Sequence, residues 1–161
     1  MSTFWFAVTT LHILAAITWI GGMIFLSLVL APLVRSRKAA PEFMALFRSA
    51  ALQFRILVWA AIGVLLTTGP ILLSQRGIDM MQPASWPRIV TMKLTLVALL
   101  LLLTFLHDLL LGPKVSRVGT IAESQRTTGE KIIFKTARWL PRFSLLVALT
   151  VMVAAAVLAR S

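Results

Sequence analysis

The stretch that decides the fold is Phe4–Val34, FWFAVTTLHILAAITWIGGMIFLSLVLAPLV, whose only ionisable side chain is His12. A helix that is apolar all round belongs in a core or in a membrane. This run exceeds the roughly 20 residues that cross about 30 Å of hydrocarbon. It therefore reads as a tilted span or one that extends past the headgroups. It has no basic n-region, is too long for a signal peptide and lacks a clear small-x-small cleavage site, so it is expected to be retained.

Three further apolar runs follow, giving an all-α integral membrane four-helix bundle in a single four-span domain, residues 1–161. The spans are expected at about residues 4–34, 56–73, 89–111 and 143–159. Apolar residues make up 59% of the chain and charged residues 13%. A soluble domain is nearer half and a quarter, so composition agrees with lipid as the solvent. The net charge of +11 sits in the gaps between spans, the pattern of inner loops and not of a nucleic-acid groove. Cysteine is absent, which excludes disulfides, thiolate metal sites, cysteine-held iron–sulfur clusters and thiol catalysis.

Orientation follows from the basic residues. Arg35, Arg37, Lys38, Arg48 and Arg55 lie between spans one and two. Lys114, Arg117, Arg126, Lys131, Lys135, Arg138 and Arg142 lie between spans three and four. Only Arg76 and Arg88 separate spans two and three, and no basic residue precedes span one. The positive-inside rule puts both termini outside and the two basic loops in the cytoplasm. The segment PEFMALFRSAALQFR (41–55) reads as an amphipathic extension of the second helix at the inner surface. In TTGP (67–70), Pro70 is expected to kink or stop that helix. Gly21 and Gly22 offer a close-packing spot for a neighbouring helix.

The two halves resemble each other. Shifted by 81 residues, TLHILAAITWIGGMIFLSLVLAPLVRS falls on TMKLTLVALLLLLTFLHDLLLGPKVSR without a gap; Pro32 meets Pro113 and His12 meets Lys93. Identity is low, and chance competes with an internal repeat. A true repeat makes two parallel-related helix pairs, spans one and three running the same way.

Ionisable residues inside spans default to functional candidates, and here they are His12, Lys93, His107 and Asp108. At about 1.5 Å per residue, His12 lies about 12 Å below the outer end and Lys93 about 8 Å, so the two can meet. His107 lies roughly 16 Å deeper than His12, near the inner end, so the two histidines cannot ligate one metal ion or one haem within a chain. His12, Ala15, Ala16, Trp19 and Met23 share one helix face, where Trp19 can stack on a flat ligand. Lys93, Val97, Leu100, Thr104 and His107 form a similar stripe. Met23 matches His107 in depth, so a Met–His metal site near the inner side is a candidate. Competing roles are a hydrogen-bonded packing histidine at position 12, a snorkelling Lys93 and a surface-anchoring His107–Asp108 pair.

LHILAAITWIGGMIFLSLVLAPLVR, a basic loop and KLTLVALLLLLTFLHDLLLGPKVSR together resemble the copper-resistance D (CopD) family of bacterial inner-membrane proteins. LHxxxxxxWxGG and HDxxLGPK carry the resemblance. The first helix is also similar to the HemJ family, membrane proteins that oxidise protoporphyrinogen IX and bind haem b. That second resemblance implies His12 as a haem ligand and Lys93 as a partner for a carboxylate.

Three function classes stay open. One is copper handling or membrane redox chemistry, with copper or haem b bound at His12, Trp19, Met23 and Lys93, and His107 a further metal candidate. It implies a periplasmic copper protein, a quinone or another redox partner. The second is a HemJ-like protoporphyrinogen oxidase. The third is a cofactor-free accessory subunit whose basic loops meet anionic lipid or a partner protein. Homo-oligomerisation would bring together ligands that one chain keeps apart. Two distant histidines and scattered methionines make a closed Cu(I) cage hard to assemble, whereas haem b needs one axial histidine.

Overall fold

The computed structural model describes residues 2–36, 41–118 and 123–160; Arg37 and Lys38 of the first basic loop lie outside them. The described chain is all-α, and four helices are long and apolar enough to cross a membrane: Thr3–Leu33, Ala45–Gln75, Arg88–Val115 and Thr128–Arg160. Large apolar side chains point outward along all four, Phe6, Leu66, Leu102 and Val153 among them. Such a surface would aggregate in water, and lipid is its natural solvent. The chain is a multi-pass membrane protein.

It divides into two compact units, Met1–Pro87 and Arg88–Ser161. In the first, α1 (Thr3–Ile24) passes through a π-helical segment (Phe25–Leu30) into α2 (Ala31–Ser36), and α3 (Pro41–Gln75) packs back on α1. In the second, α4 (Arg88–Phe105) passes through a π-helical segment (Leu106–Leu111) into α5 (Gly112–Val118), and α6 (Thr128–Arg160) packs back on α4.

The second and fourth helices outrun the apolar windows that reveal them. α3 takes in the whole of PEFMALFRSAALQFR, with Pro41 at its first position and Glu42 in its first turn. Proline there loses no intrahelical bond, and an acid meets the positive end of the helix dipole. α6 starts at a capping box. Thr127 N–H donates to Glu130 Oε2 at 2.7 Å, and Glu130 N–H donates back to Thr127 Oγ1 at 3.4 Å. Further along, Arg142 sits 4.8 Å over the Trp139 ring, a pairing suited to a membrane interface.

Pro70 does not stop α3, which runs five residues further to Gln75. The stop is Gly77, whose φ of 72° is in the left-handed region. Gly77 N–H donates to Ser74 O and Ile78 N–H to Leu73 O, the paired bonds of a Schellman ending. Proline removes one donor, and a transmembrane helix tolerates that loss; the reversal of φ is what turns the chain away.

The internal repeat is visible in the backbone. The π-helical segments start at residues 25 and 106 and end at 30 and 111, the same 81-residue offset that aligns the sequences. Each closes with an i to i−5 bond, Ala31 N–H to Leu26 O and Gly112 N–H to His107 O. Each precedes a proline, Pro32 or Pro113, whose ring would crowd the carbonyl four residues back in an unbroken α-helix. The second arms also align, offset by 86: buried Val58, Ala61, Ile62 and Thr68 fall on buried Ser144, Val147, Ala148 and Ala154. The described residues thus form two helical hairpins that share these features.

Of the glycine pair, only Gly22 is a packing contact. A Cβ there would overlap the Phe54 ring of α3, whereas a Cβ on Gly21 would meet nothing within 4 Å. The absent side chain lets the α3 aromatic lie against the α1 backbone.

Candidate functional site

Hydroxyls in the spans are mostly bonded back to the preceding turn, which satisfies them in lipid. Thr18 donates to Leu14 O at 2.9 Å, Thr104 to Leu100 O at 2.9 Å and Ser144 to Leu140 O at 3.0 Å. Thr68 does this and more. Its Oγ1 donates to Val64 O at 2.6 Å and also lies 2.7 Å from His12 Nδ1. A hydroxyl has one proton, and Val64 takes it. With the hydroxyl proton on Val64 O, the geometry favours the bond to the imidazole running the other way, from Nδ1–H to Thr68 Oγ1, the tautomer in which Nε2 carries the lone pair.

Thr68 is buried, and His12 is half-buried on α1. Next to Thr68, a Cβ on Gly69 would stand 3.8 Å from His12 Cε1, so α3 meets the imidazole with a hydroxyl and a bare backbone side by side. Two turns along α1 from His12, Trp19 is buried, at 3% exposure. Its indole Nε1–H has no hydrogen-bond partner among the described residues. A donor left unmatched away from water costs about 1–3 kcal/mol, so this N–H is primed for an acceptor.

Met23 does not join His12. Eleven residues along the same helix put about 16 Å between them, too far for one ion. Lys93 is half-buried on α4, at the position the repeat pairs with His12. His107 and Asp108 are brought together in the π-helical segment of the second unit, Nδ1 to Oδ1 3.0 Å, with the imidazole 41% and the carboxyl 17% exposed. Among the described residues no group of three or more His, Asp or Glu side chains could hold a metal ion.

The first unit thus offers one imidazole nitrogen, not a closed metal cage. A resident Cu(I) site needs two or more soft donors, and the His12 neighbourhood in this unit does not supply them. One axial nitrogen suffices for haem b, and the unmatched indole N–H suits an acceptor at the edge of such a group.

In TTGP the proline is the conspicuous residue, and the threonine pair inside a span is the one signal that points to Thr68. Its partner, 56 residues away on another helix, leaves no mark in local periodicity.

Residues 48–158, more than half of the chain, match the family model CopD, described as Copper resistance protein D. The matched stretch contains Lys93 and HDxxLGPK; His12, Trp19 and Met23 precede it. No curated protein and no solved structure matches the chain.

Proposed function

The chain belongs to the copper resistance protein D family, and from that premise we propose that it acts in copper handling in a bacterial inner membrane, with His12 as the ligand that meets the ion inside the bilayer. The observation that carries this reading is the chain His12 Nδ1–H to Thr68 Oγ1 to Val64 O, which presents Nε2 as the lone-pair nitrogen. Copper here is cargo. A single imidazole holds a soft ion loosely, as passage requires and storage does not. Met23, about 16 Å along the same helix, is a separate soft donor on that course. The basic segments face the cytoplasm and both termini the periplasm, where a copper-carrying protein is the natural partner.

A second reading is supported by the imidazole inside the span and the unmatched Trp19 N–H: His12 as axial ligand of haem b. Bound haem would supply one-electron chemistry towards a quinone or another redox partner, with protoporphyrinogen oxidation as one form of it.

The test is a reduced-minus-oxidised visible spectrum of the detergent-purified protein, with Cu(I) binding titrated on the same sample against a weak competing chelator, for wild type and His12→Ala. Copper bound by wild type and lost in His12→Ala, with no haem bands, supports copper handling. Haem b bands that vanish in His12→Ala replace it with the redox reading. Neither signal in protein expressed with haem and copper supplied would sink both readings and leave an accessory subunit.

A further inference from the structure

We propose that Thr68 is the positioning residue of the His12 site, holding the imidazole in its Nδ1–H tautomer so that Nε2 carries the lone pair. The inference deepens the reading of His12 as a ligand and rests on it for its functional meaning, but its geometry stands apart from any ligand.

Which nitrogen of a neutral histidine is protonated follows from the hydrogen bond the other makes. Ligating histidines are usually oriented through the nitrogen opposite the ligand, by a carboxylate or a backbone carbonyl. Here a carbonyl acts through a relay. Val64 O accepts the Thr68 hydroxyl proton at 2.6 Å, and the oxygen so committed accepts from His12 Nδ1 at 2.7 Å. Thr68 is buried, so water does not compete for either bond. A threonine at this place gives three things at once: a hydroxyl four residues from a carbonyl on its own helix, a fixed rotamer, and an acceptor aimed at the neighbouring helix. Gly69 adds an unfilled position beside the ring edge.

The repeat sharpens the point. In the second hairpin the position paired with His12 is Lys93, and the position paired with Thr68 is Ala154. Lysine has no tautomer to fix, and the hydroxyl is absent where the imidazole is absent. The His12–Thr68 bond is a feature of the first hairpin.

The decisive experiment is nitrogen NMR of the full-length protein in lipid nanodiscs with 15N-labelled histidine, at a pH where imidazole is neutral, using His12→Gln to assign the signals. Wild type should show a protonated Nδ1 and a bare Nε2 at His12. Thr68→Val, nearly the same shape without the hydroxyl, should lose that pattern and populate the Nε2–H form. Thr68→Ser should restore it. In parallel, Cu(I) affinity measured against a competing chelator should fall about 10- to 100-fold in Thr68→Val and recover in Thr68→Ser. A protonated Nε2 in wild type, or an unchanged tautomer in Thr68→Val, overturns the proposal. A correct tautomer pattern in protein that binds neither copper nor haem supports the positioning role and removes the ligand reading. Loss of copper in His12→Ala, with Thr68→Val unaltered in both measurements, does the reverse.

Discussion

Adjacent glycines in one helix offer a controlled test of the packing between α1 and α3. Gly21→Ala and Gly22→Ala make the same change at neighbouring positions of the same span. Each gains the same helix propensity, about 1 kcal/mol over glycine. That gain cancels when the two variants are compared. What remains is space: a Cβ on Gly21 meets nothing within 4 Å, while one on Gly22 overlaps Cε2 and Cζ of Phe54. Overpacking costs about 1–3 kcal/mol. The obstructing atoms are the far end of a half-buried ring that can swing, so the lower part of that range is expected. Gly22→Ala should therefore be about 1–2 kcal/mol less stable than Gly21→Ala, in reversible unfolding from mixed micelles. Shortening the obstacle should return most of the difference. Gly22→Ala with Phe54→Leu should cost less than the two single changes added together, because contacting residues are not additive. Equal stabilities for Gly21→Ala and Gly22→Ala, or strict additivity with Phe54→Leu, would refute the contact.

Three other outcomes are expected. Gly77→Ala should destabilise by about 1–2 kcal/mol, the cost of a left-handed residue with a Cβ, and Gly77→Asn by clearly less, since the space around it is open and only the backbone angle is at stake; equal losses would contradict the helix ending. Removing the capping box with Thr127→Ala should cost about 0.5–2 kcal/mol and speed amide exchange in the first turns of α6, leaving α3 unchanged; unchanged exchange at residues 128–131 would contradict the cap. A reporter that works only in the periplasm, fused after Ser161, should be active, and a stable but silent fusion would reverse the proposed orientation.

The four spans were legible because length and apolarity suffice to mark a segment as membrane-crossing. Their ends were less so. An apolar window stops where charge begins, but a helix needs only propensity to continue, and residues 41–55 and 128–142 carry it. Pro70 drew attention as the expected breaker, whereas the turn was made by Gly77, which no apolar window includes. The 81-residue repeat was faint in side chains because two lipid-facing helices need only be apolar, and it became plain where the backbone leaves α-helical pitch at matching places. His12 was found by its cost in lipid. Thr68 was hidden because its role exists only between helices, and the Gly22 contact could not be told from Gly21 without knowing which face meets Phe54.

The π-helical segments have a consequence for how each first arm can be read and altered. Such a turn takes one residue more than an α turn, so every side chain beyond it is rotated by about 100° from where an unbroken helix would carry it. The arm is two screws joined out of phase. A face counted from His12 does not continue past Phe25, and one counted from Lys93 does not continue past Phe105. Deleting one residue from 25–30 would not shorten the arm so much as re-clock it, swinging Pro32 and all that follows to a different azimuth while His12, Trp19 and Gly22 keep theirs. The end of each arm beyond its π-helical segment is thus set at its own angle, independently of the end before it.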